Sequence, residues 1–294
     1  KKLKKNAEKV DKFLKNFLKN QKRSLLVAPM KYGVIAGGKK IRSTIIFDTG
    51  KLLKVKENKL LHICAAVECI HSYSLIHDDL PCMDNDSFRR GKLSTHKKFG
   101  EATAVLAGNS LLTLAFEILS DKKNPLTFKQ KNEIIKLLAY FSGHTGIAGG
   151  QELDLKFENK KKKLTQIIDM QRKKTGKLFN FCLQSISIIG NKNNKDQKAL
   201  GELGEEIGLL GSSYFAKNST IDLSNVKFML NFDMVGRLNK SKDLAINGVG
   251  TSNKWEELLQ ESNNFDWGKL SLEELEIILK AFEGSDDEKD ELRD

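Results

Sequence analysis

From the first residues to about position 210, apolar side chains recur at spacings of three and four, the period of helices with one buried face. Val10, Phe13, Leu14, Phe17 and Leu18 fall at i, i+3, i+4, i+7 and i+8, with lysines on the opposite face, and predict an amphipathic helix that packs on a core. Further helices are predicted near 42–53, 58–79, 101–120, 128–143, 164–189 and 196–210, separated by Gly, Asn and Lys clusters. With 3 prolines in the whole chain, little interrupts them. After Leu210 the texture changes. Gly211-Ser212-Ser213 leads into short β-prone pieces at 226–230 and 244–246, with Gly248 and Gly250 as turn signals. The tail predicts one more helix, with Ser271 and Glu274 placed as a capping box, and then an acidic run over 285–294 expected to stay unfolded. The fold class is therefore mainly α, a helical bundle with a short mixed α/β segment behind it.

Composition narrows the function. A chain of 294 residues can bury a sizeable core, as one large domain or two small ones. Its 50 basic residues against 38 acidic ones leave a charge of +12, which suits a nucleic acid, an anionic surface or a small anionic substrate. The lysines are scattered through every segment and mark solvated helix faces. No nucleic-acid motif or aromatic–basic interleaving accompanies them, so nucleic acid is not the expected partner. Cys64, Cys69, Cys82 and Cys182 form no Cys-x-x-Cys pair and have no histidines at zinc-finger spacing, as in a reduced cytoplasmic chain. No uninterrupted apolar run reaches 18 residues, so stable membrane insertion is not expected.

The chemistry concentrates in one helix. Within the element predicted at 58–79, Glu68, His71, Leu75 and Asp78 share a stripe, and the seven residues from His71 to Asp78 span roughly 10 Å of axis, enough for two neighbouring anionic groups. Pro81 disfavours helix at Leu80, so Asp78 and Asp79 end the helix, where the macrodipole makes carboxylates unfavourable by roughly 0.3–1 kcal/mol. A cation relieves that, and the turn after Pro81 returns Asp84 as a third oxygen ligand for magnesium. Arg89-Arg90 follows, and Gly37-Gly38-Lys39-Lys40-Ile41-Arg42 sets a flexible backbone beside cations at a helix start, where phosphate is welcome.

The string from Glu68 to Gly91, ECIHSYSLIHDDLPCMDNDSFRRG, resembles the first aspartate-rich motif of the trans-prenyltransferases, the short-chain polyprenyl diphosphate synthases, and within them the bacterial farnesyl diphosphate synthase group. The resemblance runs from about residue 25 to 210, and the helical domain it marks is taken as 1–210. It implies an isoprenoid-synthase helical bundle that condenses an allylic diphosphate with isopentenyl diphosphate. Asp78 and Asp84, with Asp79 in support, would hold Mg2+ on the allylic diphosphate, which Arg89 would also bind. Lys39, Arg42, His71 and Arg90 would bind isopentenyl diphosphate. Gly149-Gly150-Gln151-Glu152-Leu153-Asp154 and Lys174-Thr175-Gly176 look like the next two motifs, so Gln151, Lys174 and Thr175 join the substrate site, with Lys174 also among the catalytic residues. Tyr73, five residues before Asp78, would close the floor of the elongation pocket, which suggests farnesyl diphosphate as product. Ser43 stands where proline is usual and Asn109 where aspartate is usual. A homodimer is the implied assembly.

The resemblance stops near Leu210, where the Phe-Gln and second aspartate motif of a complete member do not follow, so the bundle is incomplete. From about 204 to 265, Gly204-Glu205-Glu206, then Asn231-Phe232-Asp233, then Gly248-Val249-Gly250 resemble a fragment of an M28-type zinc aminopeptidase, with Glu205 as general base and Glu206 and Asp233 as zinc ligands. A two-zinc centre needs histidines, and none follows Glu206. The expected organisation is a chimera: a helical domain over 1–210, a peptidase-like fragment over 211–265, and a helix with acidic tail over 266–294. Three activities follow: a synthase, a noncatalytic protein that captures magnesium-diphosphate, and a zinc aminopeptidase, the last disfavoured.

Overall fold

The computed structural model describes residues 2–19, 21, 24–35, 37–158 and 160–217, with 210–217 as backbone alone. The β-prone pieces expected after residue 225, Asp233, the closing helix and the acidic tail lie outside the described residues.

Within the described residues the chain is a bundle of α1 (Lys2–Lys19), α2 (Val27–Ile35), α3 (Ile41–Leu52), α4 (Glu57–Asp78), α5 (Thr95–Phe99), α6 (Glu101–Ser120), α7 (Phe128–Ser142), α8 (Ile147–Phe157), α9 (Leu164–Gln171), α10 (Lys177–Ile189) and α11 (Asn194–Lys217). The strands β1 (Phe88–Arg89) and β2 (Lys92–Leu93) form one hairpin between α4 and α5. Its turn residues Arg90 and Gly91 both have positive φ, 53° and 72°, the geometry that joins two twisted strands through a two-residue loop.

Helix α4 is the axis of the bundle. Leu60, Ile63, Cys64, Ala65, Ala66, Val67, Cys69 and Ile70 are all sealed from solvent, so this helix is buried on every side rather than along one stripe. It packs against α6, α3, α1, α2 and α10. The approach to α6 is close at Gly108, where a Cβ would overlap the His77 ring, and α6 also buries the small side chains Ala104, Ala107 and Ala115. Contrary to the expectation of no apolar stretch long enough, α4 and α6 are both apolar enough by length and composition to cross a membrane, but most of that stretch of α4 is buried inside the protein.

Two departures from the predicted helices matter for the site. The helix expected over 164–189 is broken at Arg172–Gly176 by a π-helical turn between α9 and α10. Such wider turns shift the side-chain register and recur at functional sites, and this one carries Lys174 and Thr175. The second is α8, which the helical period did not predict because Gly149-Gly150 lowers its propensity. Gly150 is required by packing: a Cβ there would overlap the backbone of Lys174, so the π turn rests directly on α8.

Candidate diphosphate site

Helix α4 ends at Asp78, with Asp79 as its cap, and the chain turns back through a hydrogen bond from the Asp84 N–H to the Asp78 carbonyl (2.9 Å). The turn after Pro81 thus returns Asp84 to Asp78. Burial pushes the Asp78 carboxyl up to about 7; Lys174 works against this, and Asp84 and Asp79 add to it. Burial raises Asp84 as well, with Lys174 again opposing and Asp154 and Asp86 adding. Lys174 comes in from the π turn and its Nζ donates to Asp154 Oδ2 at 2.5 Å. Burial works against that ammonium, yet Asp154, then Asp78 and Asp84, lift its pKa above the ordinary lysine value. Asp154 took no role in the sequence reading, although its place three residues after Gln151 on one helix was the available signal. Gln151 itself is 8% exposed, and neither atom of its amide finds a partner among the described residues. A buried amide left without partners is unfavourable by about 1–3 kcal/mol, which a ligand would recover.

Asp79 faces a different neighbour. Its carboxylate is 2% exposed and engaged by Arg89, whose Nε donates to Oδ1 at 3.0 Å and whose Nη2 also bonds Oδ1; Asp86 lies 3.3 Å from the same Nη2. Asp79 therefore holds Arg89 in place.

About two helical turns toward the N-terminus, the stripe changes sign. His71 is half-buried, and its pKa falls well below the ordinary histidine value through burial first, then through Arg42, Arg90, Lys40 and Arg89. It is neutral near pH 7. Arg42 lies over the Phe179 ring, 4.7 Å from its centroid. Arg90 reaches from the hairpin turn to the Gly37 carbonyl (2.7 Å), and its guanidinium lies where a Cβ on Gly38 would stand. The two cationic segments that the sequence placed separately, 37–42 and 89–90, thus meet beside His71. Lys39 is exposed at their edge and Thr175 is half-buried on the π turn.

The donor set suits magnesium by its chemistry. Asp78 and Asp84 are carboxylates whose protonation is favoured by burial and by neighbouring carboxylates, a penalty that a divalent cation removes. Among the described residues no three acidic, His or Cys groups form a ready-made metal cage, so the expected set of Asp78, Asp79 and Asp84 is not gathered as three ligands: Asp79 is engaged by Arg89 instead.

Tyr73 sits below Asp78, its hydroxyl 3.4 Å from the Ser142 carbonyl and its ring edge-on to His77. Glu205 is buried in α11, bonded to Lys177 (2.5 Å) and Asn180 (2.7 Å), whereas Glu206 is exposed. The two glutamates do not converge on a common point.

Fold and site together define a helical bundle of the isoprenoid synthase kind. The chain belongs to the polyprenyl synthetase family, whose model matches residues 23–211. It is 46% identical over 181 residues to the farnesyl diphosphate synthase of Buchnera aphidicola from Acyrthosiphon pisum, covering 61% of this chain and 64% of that one. To the farnesyl diphosphate synthase of Escherichia coli K12 it is 44% identical over 186 residues, covering 63% and 62%. The chain thus spans a little under two thirds of these relatives. The crystal structure of an FPP/GFPP synthase from Zymomonas mobilis matches with a TM-score of 0.66 at 39% identity, over 73% of this chain and 81% of that one. A model of peptidase family M28 matches residues 198–270, overlapping α11.

Proposed function

We propose that the chain is a short-chain prenyl diphosphate synthase that joins an allylic diphosphate to isopentenyl diphosphate and yields farnesyl diphosphate. The observation that carries this is the pairing, on one face of α4, of a cation-lined recess at His71 with a carboxylate cluster at Asp78. Lys39, Arg42, His71 and Arg90 hold isopentenyl diphosphate. Gln151, Lys174, Thr175 and Arg89 hold the allylic diphosphate, with Asp79 fixing Arg89. Asp78 and Asp84 are the residues that hold Mg2+, which when bound supplies charge for the departing diphosphate. Lys174, bonded to Asp154 and within the field of Asp78 and Asp84, adds a positive charge for the same diphosphate. The double bond of isopentenyl diphosphate attacks the allylic carbon and a proton is lost, so no side-chain nucleophile is required. Tyr73 limits product length. The chain acts in the cytoplasm, as a homodimer.

The test is to mix the protein with radiolabelled isopentenyl diphosphate, an allylic diphosphate and Mg2+. Label passes into a longer prenyl diphosphate, and EDTA abolishes it. Absence of both binding and turnover overturns the reading. A second reading is favoured by the sequence after Leu210, which lacks the second aspartate motif: capture of magnesium-diphosphate without turnover. Calorimetric affinity beside a silent radiolabel assay selects it.

We also infer that α11 belongs to the helical domain at least as far as Leu209, with the peptidase-like fragment (211–265) and the terminal helix and tail (266–294) following. Gly201, Gly204 and Gly208 lie against Asn180 and Phe179 of α10, where any Cβ would crowd them, and Glu205 is committed to Lys177 and Asn180. With no histidine beyond residue 144, the peptidase-like fragment lacks the histidine ligands that a two-zinc centre needs. No hydrolysis of an aminoacyl chromogenic substrate is expected with added zinc.

A further inference from the structure

The turn that presents Lys39 is an unusual piece of backbone. Gly37, Gly38 and Lys40 all have positive φ, 94°, 100° and 45°. For Lys40 this is the left-handed region that a side chain with a Cβ disfavours, and such a residue persists only where its surroundings over-determine it. The Lys40 side chain is 3% exposed, and its Nζ donates to the Val34 carbonyl of α2 (3.0 Å) and lies 3.3 Å from Asp11 of α1 and 3.8 Å from Glu68 of α4. Glu68 is itself buried and accepts a hydrogen bond from the Ser43 hydroxyl at 2.7 Å. One ammonium therefore ties the end of the turn to three helices, while Arg90 grips its other end at the Gly37 carbonyl.

We propose that Lys40, with Glu68 and Ser43, is a positioning unit that sets the Gly37–Lys39 turn so that Lys39 and Arg42 flank the isopentenyl diphosphate. This rests on the synthase reading above. Lys40 does not touch substrate. Its buried ammonium is consumed by Val34, Asp11 and Glu68, and its neighbour Lys39 is the exposed cation. The fixed turn saves Lys39 and Arg42 the ordering that substrate would otherwise impose, so the unit acts on affinity for one substrate rather than on the chemical step.

The test measures kcat and both KM values for Lys40→Met, Ser43→Ala and the charge-balanced double variant Lys40→Met/Glu68→Gln, with folding checked by thermal melting. The double variant leaves no unpaired buried carboxylate at position 68 and serves where Lys40→Met alone fails to fold. Lys40→Met, or the double variant, is expected to raise KM for isopentenyl diphosphate about tenfold or more, the scale of one charged hydrogen bond, with kcat and the allylic KM changed by less than about threefold. Ser43→Ala shifts the same KM in the same direction by less. In a Lys39→Met background the Lys40 substitution raises that KM by less than it does in the parent, because the part of its effect that runs through Lys39 is already gone and only the part through Arg42 is left. An unchanged isopentenyl KM, a fall in kcat with both KM values moving together, or full additivity with Lys39→Met overturns the proposal. Where the parent chain binds without turnover, calorimetric Kd values for the two diphosphates are read in place of KM. A parent that binds neither overturns the synthase reading and this proposal together, whereas a parent that binds both and shows no split overturns this proposal alone.

Discussion

The two ends of the α4 stripe solve opposite electrostatic problems. At His71, cations crowd together but three of them are answered by the protein itself: Arg42 by the Phe179 ring, Arg90 by the Gly37 carbonyl and Lys40 by Val34, Asp11 and Glu68. At Asp78, the carboxylates remain partly unanswered, with a carboxyl raised to about 7 and a buried Gln151 amide without partners. The first end is built in advance and the second is completed by what binds. Substitutions at the two ends should therefore differ in kind: affinity for one substrate at the His71 end, turnover at the Asp78 end.

The largest expected effect is at the carboxylates. Asp78→Asn lowers kcat by about 10³-fold or more in a radiolabel assay with saturating substrates, the scale of losing electrostatic stabilisation of the departing diphosphate, which on the synthase reading Asp78 secures by holding Mg2+. A tenfold change or less breaks the contrast between the ends. Arg90→Met raises KM for isopentenyl diphosphate by about 10- to 100-fold, the loss of a charged hydrogen bond, and leaves the allylic KM nearly unchanged. Equal shifts in both would merge the two ends into one site.

Acidification separates the ends without substrate. His71 has a folded-state pKa below its unfolded value, so on falling below about pH 6.5 the unfolded chain takes up the proton first and the His71 contribution to stability is lost. Asp78 has a folded-state pKa raised to about 7 from 3.8, so its contribution is present at low pH and is lost as pH rises through about 7. Melting curves in metal-free buffer between pH 7.5 and 5.5 should thus tilt in opposite directions for His71→Gln and Asp78→Asn. Relative to the parent, the first variant gains stability on acidification and the second loses it. Tilts of the same sign refute the assignment. Least in energy is Tyr73→Ala, which is expected to lengthen the main product by one or more isoprene units on thin-layer analysis while changing kcat by less than about tenfold, since the role proposed for the ring is at the chain end and not at the diphosphates.

The helical frame was legible wherever packing is one-sided or the ends are punctuated. The limits of α6 coincide with the predicted 101–120, and α3, α4 and α7 fall within a residue of their predicted ends. The π turn was not legible, because five residues of wider helix barely disturb a period of 3.6 over a longer run. Neither was α8, since paired glycines read as a break until the close approach to Lys174 is known. Within the site, the residue types could be read from their order but not their partners. Lys39 and Lys40 are adjacent and chemically identical, and burial of the second is a tertiary fact. Asp78 and Asp79 are likewise alike in sequence, and only the hairpin, by bringing Arg89 to Asp79, distinguishes them.

Every residue assigned to the isopentenyl diphosphate end lies between Lys39 and Arg90, a continuous stretch that invites excision as a minimal diphosphate receptor. The all-round burial of α4 argues against such a scaffold. Cut free of α6 and α10, the helix would turn Ala66, Val67, Ile70 and their neighbours to water, and the recess would lose the rigid wall that gives His71 its surroundings. A receptor derived from this protein has to be re-engineered by resurfacing α4, because its binding residues are contiguous in the gene while the framework that shapes them is spread along the bundle.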